Sequence, residues 1–509
     1  MSLVNICFKD TDFEHDVYEL IRSFFPGESF ISTYPDREEK TLPEAPRLLF
    51  EVERREGEYL IAASEGEGQP SFQARAALLS SLPGREETGE LSPRQQRELR
   101  KANKDRIKYA LYGMLREMTG KSLPWGNLTG IRPAKLAMGF LKEGIRGEDA
   151  VKELMDRYLV SREKASLAVS IAETEEKLLE GFDLEKGYSL YIGIPFCPSI
   201  CLYCSFSSSP LGLWEKRVDE YLDALCLEMS EVSAMLEGRG KLESVYIGGG
   251  TPTTLTGPQI TRLLTHLSSC FDLSSLREFT VEAGRPDSID MEKLLALRAF
   301  PVDRISVNPQ TMNQKTLDLI GRRHTVEDTK RAFALAREAG FTNINMDIIV
   351  GLPGEGREEV IQTLAEIEKL CPDSLTVHTL AVKRAARLNL FKDEYLEMSS
   401  EDNEEVIYLA GEAASRMGMV PYYLYRQKNM RGNFENVGYA KVDKAGIYNI
   451  LIMEEKQSII ALGAGGATRL VLDGGERVER IENVKDVRSY LARVEEMAER
   501  KRGALCALF

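Results

Sequence analysis

Long apolar runs are missing from this 509-residue chain. The longest, such as "INMDIIVGLP", fall far short of the ~20 residues that a membrane helix needs. The opening "MSLVNICFKDTDFEHD" lacks a basic segment followed by an apolar one, so no secretory signal is visible. A cationic excess is missing too. Lys plus Arg number 66 against 80 Asp plus Glu, a net charge of −14. That argues against non-specific binding to nucleic acid or anionic membranes, since both reward a basic surface. Local basic clusters can still line a pocket for an anionic small molecule. Low-complexity tracts and short-period repeats are absent. These absences predict a cytoplasmic protein with reduced thiols, no nucleic-acid partner and no membrane span. Of 8 cysteines, Cys7, Cys226, Cys270, Cys371 and Cys506 lie scattered without framework spacing and read as buried small apolar residues.

What is present is enough chain for two or three domains. In the N-terminal part, "LVNICF" reads as a strand, "DFEHDVYELIRSFF" as a helix, and "RLLFEVERREGEYLIAAS" as two strands joined at Arg-Glu-Gly-Glu. A long helical pattern follows, opened by Ser92-Pro93 and closed by Gly120. Another helix runs through "REKASLAVSIAETEEKLLEGF". Trp125 to Lys135 mixes Gly, Pro, Trp and Arg densely, which suits a packing element or a substrate-facing lid, with packing favoured. From Tyr188 the texture changes. Strands "SLYIGIPF", "ESVYIGGG", "EFTVEA", "RISVNPQ", "NINMDIIVGLP" and "DSLTVHTLAV" alternate with amphipathic helices. Near-continuous apolar strands alternating with helices predict a parallel α/β sheet, here six units curled into a partial barrel. Chemistry in that geometry gathers at the C-terminal strand ends. After Leu390 the repeat ends, and a C-terminal region finishes in a charged helix over about 484–502.

The first of those strands delivers "GIPFCPSICLYCSF", with Cys197, Cys201 and Cys204. Zinc sites usually pair two ligands with a second pair a dozen or more residues away. No second pair is present, and with only His15, His266, His324 and His378 a local zinc set is hard to assemble. A tight loop of three thiolates suits an iron–sulfur cluster, whose usual ligand is thiolate. Three ligands on a four-iron cube leave one iron open.

Cys197-x3-Cys201-x2-Cys204 on a loop after the first strand of a βα repeat resembles the signature of the radical S-adenosylmethionine (SAM) enzymes. The resemblance implies a [4Fe–4S] cluster whose open iron chelates SAM. One electron then splits the sulfonium to give a 5′-deoxyadenosyl radical. "YIGGGTPT" resembles the family motif whose backbone receives the methionine amino group, here Gly248, Gly249, Gly250 and Thr251. Glu282 in "TVEAGRPD" falls where the family often places an acid that contacts the cofactor. Gln310 in "RISVNPQ", Arg322 in "LIGRRH" and Asp347 in "NMDIIVGLPGE" add polar groups at successive strand ends, which the resemblance makes cofactor-binding candidates. "YIGIPFCPSICLYCSF", "IGGGTPT", "IGRRHT" and "MDIIVGLPGE" together resemble the oxygen-independent coproporphyrinogen III oxidase group. "LPWGNLTGIRPAKL" and "YLYRQKNMRGNFENVGYA" resemble its HemZ-type branch. Within this group Tyr191 lies near the cofactor, and Tyr203 occupies a position associated with a second SAM, so one or two SAM molecules are implied.

The resemblance implies three domains: 1–180, an N-terminal α+β and helical domain; 181–390, a radical SAM partial (βα)6 barrel; and 391–509, a C-terminal region covering the substrate. It implies oxidative decarboxylation of coproporphyrinogen III to protoporphyrinogen IX in haem biosynthesis, fed by a low-potential flavodoxin or ferredoxin. The alternatives in the same group are a haem-modifying or haem-degrading enzyme and a haem-trafficking protein. A tetrapyrrole's carboxylates need cations, and Arg suits bidentate carboxylate binding. Arg384 and Arg387 in "VKRAARLN", with Arg426 and Lys428 in "YRQKNMRGNF", are the candidates. Three departures stand out. Phe206 replaces a fourth cysteine of the best-known dehydrogenase. Asn308-Pro309-Gln310 replaces the usual Gly-x-Gln, and Glu435 stands where the chaperone branch has a haem-associated histidine.

Overall fold

The computed structural model describes residues 3–35, 46–66, 68–81, 91–130, 132–206, 208–380, 403–426, 435–475 and 477–508. The chain forms two compact units that meet in sequence between Ser170 and Ile171.

The first unit is built on a sheet of order β2-β1-β3-β4-β5, with β1 (Leu3–Phe8), β2 (Ser29–Thr33), β3 (Leu48–Arg55), β4 (Glu58–Glu65) and β5 (Phe72–Ala77). The expected hairpin of β3 and β4 forms with Arg55 opposite Glu58, and Gly57 takes φ 74 at the turn. Two helices cover the sheet. Glu14–Phe24 buries Val17, Leu20, Ile21 and Phe24, and Pro93–Thr119 buries Ile107, Leu111, Met114 and Leu115. Both stripes join the strand residues in one core, as 3.6-residue spacing requires. The longer helix begins with a Ser92–Gln95 capping box and ends at Gly120 in the left-handed region. The Trp125 segment packs within this unit. Trp125 is fully buried, the Asn127 amide donates to the Tyr158 carbonyl at 2.9 Å, and a Cβ on Gly126 would fall 2.1 Å from that oxygen.

The second unit contains the predicted parallel strands: β6 (Gly187–Ile194), then a short β7 (Phe196–Cys197) and β8 (Ser209–Pro210), β9 (Lys241–Gly249), β10 (Glu278–Glu282), β11 (Arg304–Ser306), β12 (Ile344–Val350) and β13 (Ser374–Thr379). From β6 to β13 each long strand pairs in parallel with the next, giving the partial (βα)6 barrel. Helices Val218–Leu236, Gly257–Cys270, Met291–Arg298, Val326–Glu338 and Arg357–Leu370 make the crossovers.

The C-terminal residues extend this sheet at both edges. Beyond β13 lies β15 (Asn436–Ala440), antiparallel to it, and then β14 (Val420–Tyr425), antiparallel to β15. Beyond β6 lies β16 (Ser458–Leu462), parallel to it, then β17 (Ala467–Leu472) and β18 (Arg477–Glu482). The final charged segment is two helices, Val487–Ala492 and Val494–Leu508, divided at Arg493, whose φ of −135° leaves the helical range. None of the five scattered cysteines is fully buried. Cys7, Cys226 and Cys270 are half-buried, while Cys371 and Cys506 are exposed. Cys371 is exposed because it ends a helix at φ 51, a surface position. Among the described residues no helix is long and apolar enough to cross a membrane.

Candidate active site

An interior strand of a parallel sheet is covered on its helix side, so a half-buried residue there marks the lumen. In β6, β10, β12 and β13 one residue alone escapes full burial: Tyr191, Glu282, Asp347 and His378. These residues, with Tyr246 of β9, are linked. Tyr191 stacks on Tyr246 with centroids 6.3 Å apart, and Tyr246 stacks on Tyr448 at 4.4 Å. The Tyr246 hydroxyl donates to Glu282 Oε1 at 2.5 Å. Asp347 Oδ2 lies 3.8 Å from His378 Nε2, and His378 Nδ1 lies 3.3 Å from the Tyr425 hydroxyl. Tyr448 is set in place by Glu278, whose carboxylate accepts the Ile447 and Tyr448 amides at the start of the helix Ile447–Glu454.

The cysteine loop leaves β6 at the strand's C-terminal end. It is fastened on several sides. The Leu202 amide donates to the Ile320 carbonyl at 2.9 Å, and Ser199 Oγ donates to the Gly321 carbonyl at 3.1 Å. Thr251 Oγ1 donates to Cys197 Sγ at 3.5 Å, and Arg285 Nη1 donates to Cys201 Sγ at the same distance. Burial pushes the Cys197 and Cys204 thiols above their ordinary values, partly offset by nearby hydrogen-bond donors. Among the described residues no three His, Cys, Asp or Glu side chains converge on one ion. A cube does not need convergence, because each thiolate binds a different iron.

The glycine segment lies against that loop. Gly250 and Thr251 donate their amides to the Ile194 and Phe196 carbonyls, both at 2.7 Å. A Cβ at Gly250 would sit 2.5 Å from the Phe196 oxygen, and one at Gly248 would sit 2.9 Å from the Tyr246 ring. With those two amides committed, this segment offers acceptors more than donors, which suits an ammonium group. Acceptors are also left over at the end of β11. Among the described residues the buried Ser306 Oγ, Asn308 Oδ1 and Gln310 Oε1, at alternate positions, have no hydrogen-bond partner. Buried polar atoms are rarely left so, and this row fits a ligand rich in hydroxyl and amino donors.

Residues 191–367 match the family model of the Radical SAM superfamily. The oxygen-independent coproporphyrinogen-III oxidase-like protein HemZ of Bacillus subtilis (strain 168) is 42% identical over 409 residues, covering 80% of this chain and 82% of HemZ. The chain belongs to the HemZ-type branch of the radical SAM superfamily. The heme chaperone HemW of the same organism is 36% identical over 222 residues, 43% of this chain and 58% of HemW. The oxygen-independent coproporphyrinogen III oxidase of Escherichia coli (strain K12) is 36% identical over 200 residues, 39% of this chain and 42% of that enzyme. The solved structure of coproporphyrinogen III oxidase (HemN) from Escherichia coli shares the fold, with a TM-score of 0.50 and 23% identity over 64% of this chain and 73% of that one. Radical SAM proteins use a [4Fe–4S] cluster and SAM, and the donor set at these strand ends fits both.

Within this radical SAM barrel the other expected residues gather at the same ends. Gln310 takes φ 66, its amide donating to the Asp347 carbonyl at 2.9 Å. Arg322, buried, donates to the Gly284 and Asn308 carbonyls and, through Nε, to the Tyr203 hydroxyl at 3.2 Å. Tyr203 packs on Leu317, Ile320, Ile349 and Leu352. Burial pushes the Asp347 carboxyl up, but His378 and the Asn345 amide outweigh it and leave the value below normal. Burial pushes Glu282 up to about 7, with Tyr246 opposing and Asp347 adding to the rise. Phe206 is 73% exposed. Arg384, Arg387 and Lys428 lie outside the described residues. Arg426 is 4% exposed, and burial lowers its guanidinium to about 10, with Glu435 opposing. The candidate substrate cation Arg426 is thus buried in the interior.

The sequence alone does not mark Tyr246, Tyr448 or Arg285 as site residues, and it shows His378 only as one of four histidines and Asn308 only as a departure from the family motif. Tyr246 and Arg285 stand inside quoted motifs, and their spacing from Gly248 and Glu282 was the available signal. Tyr448 has no local signal, since it reaches the site only through helix capping by Glu278.

Proposed function

We propose that this chain oxidatively decarboxylates two propionate side chains of coproporphyrinogen III, giving protoporphyrinogen IX. The similarity to HemZ over four-fifths of both chains carries this reading. Bound together, the cluster and SAM supply one-electron chemistry that abstracts a hydrogen atom from a propionate β-carbon. Loss of carbon dioxide, with one electron passed to an external one-electron acceptor, then leaves a vinyl group. In this reading Cys197, Cys201 and Cys204 hold three irons and leave the fourth open. Gly248, Gly249, Gly250, Thr251 and Glu282 receive the amino end of SAM. Gln310, Arg322 and Asp347 hold the rest, while Tyr191 and Tyr203 flank it. The committed amides of Gly250 and Thr251 and the unpartnered acceptors at and just beyond the end of β11 support these roles. Arg384, Arg387 and Lys428 are proposed to meet substrate carboxylates, and a low-potential flavodoxin or ferredoxin to supply electrons.

The HemW similarity favours a second reading, a haem-trafficking protein that keeps the cluster. Against it, this chain has Glu435, 1% exposed, where the chaperone branch has its haem-associated histidine.

Anaerobically reconstituted protein is given a reductant, SAM and coproporphyrinogen III, and products are followed by mass. A doubly decarboxylated porphyrinogen is expected, and Cys204→Ala should lose both iron and turnover. Haem consumption instead points to a haem-modifying enzyme, and tight haem binding without turnover points to trafficking; either overturns the reading.

A further inference from the structure

Arg285 follows β10 in "TVEAGRPD", and only 4% of its side chain is exposed. Each nitrogen of its guanidinium is engaged. Nε and Nη2 grip the Asp287 carboxylate at 2.9 and 2.8 Å. Nη2 also donates to Ser199 Oγ at 3.1 Å, and Nη1 to the Ser199 carbonyl at 3.1 Å and Cys201 Sγ at 3.5 Å. This fork therefore holds the cysteine loop at both its backbone and a sulfur. Hydrogen bonds to sulfur and local charge are among the main determinants of cluster potential.

The charge balance around it points the same way. Arg285 and Arg322 are both buried, with Asp287 as the acid beside them. His324, fully buried 3.8 Å from Asp287, is held neutral, because burial and the Arg322 charge lower it to about 4. Two cations against one anion leave a positive excess in the interior beside Cys201. Buried charge is costly unless compensated. A four-iron cluster with three thiolates is anionic, and becomes more so on reduction.

We propose that Arg285, oriented by Asp287, is a positioning residue that sets the reduction potential of the cluster through its N–H···S contact with Cys201. The added electron is stabilised by the adjacent positive charge, which eases reduction by a low-potential donor. This rests on Cys201 being a cluster ligand.

The test is an EPR-monitored redox titration of reconstituted full-length protein without SAM, with iron and sulfide measured on the same samples. Arg285→Gln is expected to keep wild-type iron content while the reduced-to-oxidised ratio at a fixed potential falls roughly tenfold, about 59 mV for one electron. Arg285→Lys keeps the charge but loses the bidentate grip, so a smaller shift of the same sign is expected. An unchanged potential in a fully loaded Arg285→Gln overturns the proposal. If that variant does not load iron, Arg285→Lys decides, and an unshifted potential there overturns it. A wild-type protein that takes up no four-iron cluster instead overturns the ligand assignment, and this inference with it.

Discussion

Glu282 and Glu355 illustrate what burial does to single carboxyls. Both are pushed up to about 7 by desolvation, opposed in Glu282 by the Tyr246 hydroxyl and in Glu355 by Thr311 and Thr316. A raised acid stabilises the fold fully below its unfolded value, near 4.5, and loses that contribution as pH rises through about 7. A shift of this size is worth on the order of 3 kcal/mol. Glu355 is 4% exposed and accepts from Thr311 Oγ1 at 2.5 Å. Cluster-free protein is therefore expected to lose apparent Tm between about pH 5 and 8, with a shallower slope in Glu355→Gln. Equal slopes in thermal denaturation would remove Glu355 as a cause. None of this was readable locally: "GLPGEG" shows an acid in a loop, and only the fold places it among threonines.

The element that does most to build the site is the contact between β9 and β6. Its glycines let the backbone after β9 pass against the strand that feeds the cysteine loop. An alanine at position 250 would put its Cβ 2.5 Å from the Phe196 oxygen, which must move. Gly250→Ala is expected to cost about 2–3 kcal/mol and to lower iron uptake per chain, measured by denaturation and iron analysis. Gly113→Ala is the control. It lies within the helix Pro93–Thr119 with open space around the new methyl, so a gain of about 0.5–1 kcal/mol is expected. Gln310 shows the other face of the same economy. A non-glycine residue at φ 66 costs about 1–3 kcal/mol, and here it brings its amide to the Asp347 carbonyl. The glycine motif was visible in sequence, whereas Gln310 was visible there only as a cofactor-contact position and not as a residue at positive φ.

Across the whole barrel unit, the last helix is tied to the first crossover helix, Val218–Leu236, through a buried ion pair. Lys501 Nζ donates to Glu228 Oε1 at 2.6 Å and to Asn483 Oδ1 at 2.7 Å. Glu228 Oε2 accepts from the Gly463 amide and the Tyr490 hydroxyl, and a Cβ on Gly463 would meet the Gly193 carbonyl at 2.5 Å. Removing one partner strands the other charge, so Lys501→Met is expected to cost about 3–5 kcal/mol. Glu228→Gln with Lys501→Met should recover most of that loss in a double-mutant cycle. Simple additivity by denaturant titration would show that the pair does not act as a unit.

Composition and periodicity were enough to read a parallel α/β repeat with three thiols at the end of its first strand, and the resemblance of that thiol loop to a known signature pointed to the superfamily. Each depends on backbone pattern within a few turns, which a linear string preserves. That β16 lies beside β6, that Tyr448 stacks on Tyr246, and that Arg285 reaches Cys201 emerges from the three-dimensional fold. Those contacts join residues far apart in the chain, and what selects them is packing, capping and charge compensation that no local period records.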